Sequence, residues 1–173
     1  MKIKLNIMHF VGNDLVVSES FAQEIQLSAA QVSLIADRHL GIGCDQLLVL
    51  APSEKEGVDV RYLIYNADGG EVSQCGNGAR CAAAYLRENG LIDGLVSGKT
   101  ITAETNECII TMTLEKDELV GVNMGIPKLA ATEIPLDTQE DADQYRLDLS
   151  DTEIKFSAVS MGNPHAVIVV DDV

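Results

Sequence analysis

The residues best suited to chemistry lie in one short segment, QCGNG at positions 74–78, directly before an alanine-rich stretch. That stretch, residues 79–89, contains good helix formers and is followed by Gly90, a residue typical of helix C-termini. The pattern predicts a helix that begins beside Cys75, with Asn77 as its N-cap. A thiol at the positive end of a helix loses its proton more readily than an ordinary thiol. Cys75 is therefore a candidate nucleophile or general base.

The same segment is also suited to binding an anion. The first backbone N–H groups of a helix have no partner within it, and they attract carboxylate and phosphate groups. Gly76 and Gly78 lack side chains, so a ligand can approach that backbone closely. A non-catalytic anion-binding module is thus one alternative to a reactive cysteine. A structural cysteine is another, because cysteine is among the most buried residue types.

The other cysteines and the three histidines show no comparable pattern. We expect Cys81 inside the helix and Cys108 on the apolar face of a strand, and Cys44 has no neighbour in sequence that would activate it. No Cys-x-x-Cys pair occurs, and the histidines lack the spacing of metal ligands. The sequence predicts free thiols in a reducing compartment, without a metal site.

The composition limits the classes of partner. The chain has 173 residues and a formal net charge of −15 at pH 7, which argues against nucleic acid and against anionic membrane surfaces. No apolar run is long enough to span a bilayer, and polar residues interrupt the N-terminus where a signal peptide would be apolar. The hydrophobic share of 46% is enough for a substantial core. We expect a cytoplasmic protein.

Alternation of apolar and polar residues predicts the elements that position Cys75. Strands are expected at 2–8, 15–17, 47–51, 59–65, 99–105, 108–115, 119–125, 154–160 and 165–170. A first helix is expected from Ser28 to Leu40-Gly41, and a turn at Gly12-Asn13-Asp14. Residues 131–153 carry eight acidic side chains and one basic one, which predicts a solvated, loop-rich region.

This order of elements indicates an α+β or mixed-sheet domain at residues 1–121. Residues 122–173 begin a second domain, which we expect to be incomplete because the chain stops just after a strand.

Several motifs together resemble the diaminopimelate epimerase family, and they occur in that family's order over the whole chain. They are Met8-His9 with Gly12-Asn13-Asp14, Asp37-Arg38-His39 with Gly41-Ile42-Gly43 and Asp45-Gln46, Asn66-Ala67-Asp68-Gly69, residues 74–81, Asn123-Met124-Gly125, and Gly162-Asn163-Pro164-His165. The blocks at 74–81 and 162–165 are the most specific of these.

The resemblance implies a cofactor-independent isomerase. Members convert LL-diaminopimelate to the meso form for lysine and peptidoglycan precursor biosynthesis. They have two similar domains, each a mixed, largely antiparallel sheet curled around a central helix. Two cysteines, one per domain, act as acid and base on opposite faces of the α-carbon. Cys75 matches the first, and the second belongs to a C-terminal part absent here, so we expect this chain alone to be inactive.

The resemblance also assigns the remaining site residues. The positions that match substrate-binding residues are Asn13, Gln46, Asn66, Gly76, Asn77 and Asn163. His165 matches a histidine that assists catalysis. The implied partner is a small amino-acid substrate, with no cofactor and no metal, and a homodimer is expected as in the family. Phe10, Val11 and Leu15 depart from the family's usual residues, which leaves open a related amino-acid racemase or isomerase of the same fold.

Overall fold

The computed structural model describes residues 2–138, 140–150 and 152–172, and these divide between Asn123 and Met124 into two compact units. The helices of the first unit are α1 (Ala29–Ala36) and α2 (Gly76–Glu88). Its strands are β1 (Asn6–Phe10), β2 (Asn13–Glu19), β3 (Gln46–Ala51), β4 (Val60–Asn66), β5 (Glu71–Val72), β6 (Thr100–Glu104), β7 (Ile109–Leu114) and β8 (Val120–Asn123). None of the helices in these described ranges has the length and apolar content that a membrane span requires.

The eight strands of the first unit form one sheet that curls around α2. The strand order is β1-β2-β3-β4-β6-β7-β8, and β5 pairs with β4. The β2–β3 and β4–β6 pairs are parallel, and the other pairs are antiparallel. Both edge strands, β1 and β8, pack against α2, so the sheet wraps the helix from two sides. The predicted fold, a mixed and largely antiparallel sheet around a central helix, is confirmed.

Alternate residues of the strands face α2 and form the main core. The buried strand residues on this face include Leu15 and Val17 of β2, Leu48 and Leu50 of β3, Tyr62 and Ile64 of β4, and Ile110, Met112 and Leu114 of β7. The helix contributes mainly small side chains, among them Ala79, Ala82 and Ala83, and these allow the helix and the sheet to approach closely.

A second core lies on the other face of β2 and β3. Val16, Leu47 and Val49 pack there together with Val32 of α1 and with Cys44. Because β2 and β3 are buried on both faces, their sequences are continuous apolar runs and do not alternate.

Helix α1 begins as predicted and ends earlier than predicted. Ser28 is its N-cap, in a capping box with Gln31. The predicted end at Leu40-Gly41 is wrong, because the helix stops at Ala36. The Asp37 side chain accepts the backbone N–H groups of His39 and Leu40, each at 2.7 Å. These bonds lower the pKa of Asp37, and they turn the chain out of the helix.

The hairpin between β1 and β2 also differs from the prediction. Phe10 pairs with Asn13, so the two turn residues are Val11 and Gly12, with φ values of 51° and 80°. The predicted turn was one residue later, and it would have left Asn13 outside the strand. Asn13 is in fact the first residue of β2. Two positive φ values are typical of the tight turns that suit the strand twist, although Asn-Gly usually supplies them.

The second unit contains a three-stranded antiparallel sheet. Its strands are β9 (Tyr145–Leu149), β10 (Thr152–Ser160) and β11 (Pro164–Val167), in the order β11-β10-β9. The predicted solvated, loop-rich region at 131–153 contains one strand that was not predicted, β9, whose residues are mostly exposed. There Tyr145 packs on Phe156 of β10 with ring centroids 5.7 Å apart, and Arg146 forms an ion pair with Glu153 at 3.2 Å. The acidic residues around β9 obscured this cross-strand pairing.

Candidate active site

The sulfur of Cys75 caps the N-terminus of α2. Cys75 is itself the N-cap residue, with an extended backbone, and its Sγ accepts the backbone N–H of Gly78 at 3.1 Å. The prediction of Asn77 as the N-cap is therefore wrong, since Asn77 lies in the first turn. Cysteine does here what serine or asparagine usually does at a helix start. The end of the helix is as predicted, with Gly90 just beyond it at a φ of 61°.

This arrangement stabilises a negative charge on the sulfur. The sulfur accepts the hydrogen bond from Gly78 and lies at the positive end of the helix. The N–H groups of Gly76 and Asn77 are the first two of the helix and have no partner within it. Cys75 is half-buried, with one side packed on the core. The first turn therefore combines a sulfur at the helix N-terminus with two backbone donors suited to a carboxylate.

Three of the predicted site residues carry side-chain amides and lie at the same end of the sheet, at the start of β2, the start of β3 and the end of β4. Gln46 pairs with Asn66 across β3 and β4, and Gln46 Nε2 donates to Asn66 Oδ1 at 3.0 Å. Asn13 occupies the first position of β2. Two residues along the three strands are the core residues Leu15, Leu48 and Ile64. Because side chains alternate along a strand, the three amides share the face turned to α2.

This amide rim, formed by Asn13, Gln46 and Asn66, has unused hydrogen-bonding atoms. Asn13 Nδ2 and Gln46 Oε1 are buried, and neither has a partner among the described residues. Leaving such an atom without a partner costs about 1–3 kcal/mol, so a ligand that supplies the partners would relieve it. The rim offers one donor and one acceptor, which match a carboxylate and an ammonium group.

Gln74 is a residue that the sequence reasoning missed. Its Nε2 donates to Cys108 Sγ at 3.2 Å, and its Oε1 is buried without a partner among the described residues. The signal that could have identified Gln74 is its position directly before Cys75 in the sequence.

An ion-pair clamp holds two residues of the amide rim. Arg38 bridges Asp14 and Asp45, with a nitrogen–oxygen distance of 2.9 Å to each. The Asp45 side chain also accepts the Asp14 backbone N–H at 2.8 Å, and this bond, with Arg38, lowers the pKa of Asp45. Asn13 and Gln46 are the immediate neighbours of the two aspartates. The clamp was not predicted, because it joins β2, β3 and the loop after α1 in space.

The other two predicted residues lie in the second unit. Asn163 is in the turn that leads into β11, where its carbonyl oxygen accepts the backbone N–H of Met161 at 3.1 Å. His165 lies in β11, paired with Val159 of β10. Both residues are exposed. The six remaining predicted residues all belong to the first unit.

Two of the three cysteines predicted to be structural are buried. The prediction for Cys108 is wrong, because Cys108 lies just before β7 and is half-buried, with its sulfur bonded to Gln74. Cys44 lies in the core beside α1 and is 2% exposed, and burial raises its pKa. Cys81 is 4% exposed, and burial raises its pKa to about 11, with the neighbouring Cys75 adding to the shift. Both thiols therefore keep their protons at neutral pH. In the described parts of the chain no group of three or more histidine, cysteine or acidic side chains could hold a metal ion.

Comparison with known proteins decides the family. Residues 5–130 match the family model described as diaminopimelate epimerase. The chain belongs to the diaminopimelate epimerase family. It is 47% identical to the diaminopimelate epimerase of Nitrosospira multiformis over 99% of this chain and 60% of the relative. It is 49% identical to the diaminopimelate epimerase of Nitrosomonas europaea over 100% of this chain and 61% of the relative. The chain thus spans about 60% of the length of these curated relatives.

Solved structures of other enzymes share the fold of this epimerase-family chain. A hydroxyproline epimerase from Agrobacterium vitis superposes with a TM-score of 0.69 at 16% identity, over 96% of this chain and 51% of that one. A phenazine biosynthesis protein of the PhzF family from Bacillus anthracis gives a TM-score of 0.57 at 19% identity, over 97% of this chain and 56% of that one. At these identities the likeness concerns the fold alone.

Proposed function

We propose that this chain supplies the first acid/base cysteine of a cofactor-independent diaminopimelate epimerase. The observation that carries the proposal is the position of the Cys75 sulfur at the N-terminus of α2. The sheet around this helix bears, on its inner face, the amide rim with its unpaired hydrogen-bonding atoms among the described residues. The family match supports LL-diaminopimelate as the substrate and the meso isomer, used in lysine and peptidoglycan precursor biosynthesis, as the product.

In the proposed reaction the Cys75 thiolate removes the α-proton of the substrate. The carbon–hydrogen bond breaks, a sulfur–hydrogen bond forms, and the electron pair delocalises into the substrate carboxylate. A positioned base of this kind typically contributes about 10²–10⁴-fold to the rate. The N–H groups of Gly76 and Asn77 bind that carboxylate and stabilise the charge that develops on it. A second acid/base group, the other cysteine of the family, then returns a proton to the opposite face.

The amide rim binds the polar groups of the substrate in this proposal. Asn13 Nδ2 donates to a carboxylate oxygen, and Gln46 Oε1 accepts from an ammonium group. Asn66 orients Gln46 through the hydrogen bond between their side chains. We extend the proposal to the second unit, where Asn163 binds substrate and His165 assists catalysis. This assignment is supported by the family motif at 162–165.

We propose diaminopimelate, and not another amino acid, as the substrate. The reason is that the three residues that depart from the family's usual sequence lie in packing and turn positions. Leu15 is fully buried in the core and Val11 is exposed in the β1–β2 turn. Phe10 lies under the guanidinium of Arg80, with 5.3 Å between the guanidinium carbon and the ring centroid. None of the three belongs to the amide rim. A homodimer and a cytoplasmic location stay predictions.

A chimaeric enzyme tests the proposal. This chain is joined to the downstream part of the Nitrosomonas europaea epimerase, of which it covers 61%. LL-diaminopimelate is then followed in deuterated water by NMR. We expect deuterium at the α-position together with the meso isomer, and a loss of at least about 100-fold in Cys75→Ala. Cys81→Ala is the matched control, since Cys81 is a core residue of the same helix.

Two results would contradict the proposal. The acid/base role of Cys75 is wrong if Cys75→Ala epimerises as fast as the parent chimaera. The substrate is wrong if a folded chimaera is inert towards diaminopimelate and turns over another amino acid, for example proline.

A further inference from the structure

The hydroxyl group of Tyr62 lies directly under the first turn of α2. Tyr62 belongs to β4 and is 1% exposed. Its hydroxyl donates to the carbonyl oxygen of Cys75 at 3.3 Å. The same carbonyl accepts the backbone N–H of Ala79 at 2.8 Å, the first hydrogen bond of the helix. The peptide group that follows the reactive cysteine is therefore held from two directions.

Gly78 shows how closely this hydroxyl approaches the helix. A Cβ placed on Gly78 would meet the Tyr62 oxygen at 2.3 Å, and Cys75 Sγ and Leu48 Cδ2 at 3.3 Å. The hydroxyl thus occupies the space that a side chain at position 78 would need. Gly78 is also the residue whose N–H donates to the Cys75 sulfur. One tyrosine oxygen therefore contacts both ends of the sulfur-capping turn.

We propose that Tyr62 is a positioning residue for Cys75, whose hydroxyl fixes the Cys75 carbonyl and the Gly78 backbone so that the Gly78 N–H points at the sulfur. The inference rests on the proposed function, in which Cys75 is an acid/base group. Without the hydroxyl, the Cys75 peptide group has only its helical hydrogen bond. The sulfur then spends less time in line with Gly78, and the Gly78 N–H stabilises negative charge on the sulfur less well.

The hydroxyl keeps its proton throughout the pH range in which thiols titrate. Burial raises the pKa of Tyr62 well above 10, and the nearby Cys75 and Cys81 add to this. The titratable groups that face Cys75 are Tyr62 from β4 and Cys81 from α2, while Cys108, before β7, is reached through Gln74. Among the described residues no charged side chain bonds to the sulfur. Tyr62 therefore acts as a neutral donor and introduces no charge.

The test measures the alkylation of Cys75 by iodoacetamide in this chain between pH 5 and pH 10, resolved by residue with mass spectrometry. We expect Tyr62→Phe to move the pH profile of Cys75 to higher pH. We also expect it to lower the rate at pH 7 by about fivefold, the effect of one neutral hydrogen bond. The fold should persist, because Ala79 still satisfies the Cys75 carbonyl. Circular dichroism and the urea midpoint check this.

Tyr85→Phe is the matched control. Tyr85 is also buried, at 3% exposure, and its hydroxyl accepts a hydrogen bond from Asn6 Nδ2 at 3.2 Å. It makes no hydrogen bond with Cys75 or Gly78, so the profile should not move. The inference is overturned if Tyr62→Phe leaves the profile unchanged, or if Tyr85→Phe shifts it equally. If Cys75 of the parent chain reacts no faster than an ordinary thiol, the proposed function itself fails.

Discussion

Replacing Gly78 by alanine measures how tightly the first turn of α2 packs on β4. The added Cβ would meet the Tyr62 oxygen at 2.3 Å, well inside an ordinary van der Waals contact. Overpacking of this kind typically costs about 1–3 kcal/mol. Alanine gains up to about 1 kcal/mol over glycine in a helix. We therefore expect Gly78→Ala to lower the free energy of unfolding by about 1–2 kcal/mol.

The same substitution in a Tyr62→Phe background should cost much less. Once the oxygen is absent, the nearest atoms to the new Cβ are Cys75 Sγ and Leu48 Cδ2, both at 3.3 Å. We expect the cost of alanine to fall below about 0.5 kcal/mol, which gives a coupling of at least about 0.5 kcal/mol between the two substitutions. Urea unfolding, followed by circular dichroism, gives the free energy of unfolding of the parent, the two single variants and the double variant, which together form the double-mutant cycle. An equal cost of alanine in both backgrounds would refute the packing argument.

Three further predictions concern the clamp, the β1–β2 turn and a buried carboxylate. Val11→Asn should stabilise the chain by about 1 kcal/mol, because Val11 is β-branched and has a φ of 51°; an unchanged urea midpoint would contradict this. The hydrogen bond to Lys55 lowers the pKa of Glu104 below its ordinary value of 4.5. The ionised Glu104 therefore stabilises the fold at pH values above 4.5, and this stabilisation is lost as the pH falls through the lowered pKa. Between pH 6 and pH 3 the free energy of unfolding, measured by urea titration, should therefore fall by about 1 kcal/mol more in the parent than in Glu104→Gln. An equal fall in both proteins would show that Glu104 is not the group responsible. In the chimaeric epimerase, Arg38→Ala should raise KM about tenfold with little change in stability, since the clamp is half-exposed; Arg38→Lys should not restore KM, because lysine lacks the planar fork that holds two carboxylates.

The position of Cys75 could be predicted from the sequence because the signals there are local. Glycines, an alanine-rich stretch and Gly90 define a helix of about the right length without any tertiary contact. The N-cap was misassigned because the usual preferences favour Asn77 over a thiol. The use of sulfur as the cap became apparent only from the hydrogen bond to Gly78. This hydrogen bond supports the proposed role of Cys75, since it places the sulfur at the N-terminal end of the helix.

The amide rim and the clamp depend on pairing between distant strands, which local patterns do not encode. Gln46 and Asn66 are adjacent because β3 and β4 pair in that register. Arg38 reaches Asp14 because β2 and β3 are parallel neighbours. The family resemblance named the rim residues, but their unused donor and acceptor atoms follow only from burial. Strand β9 was missed for a different reason, since the density of acidic residues outweighed a short alternating pattern.

The rate at which each cysteine is alkylated at pH 7 tests the central claim most directly. We expect Cys75 in the folded chain to react about tenfold faster than the same residue in urea, because the helix end and the Gly78 N–H stabilise negative charge on its sulfur. Cys44 and Cys81 should react only after unfolding, since both are buried and have raised pKa values. If Cys75 instead reacts more slowly in the folded chain than in urea, its sulfur is not activated by the helix, and the acid/base role assigned to it is wrong.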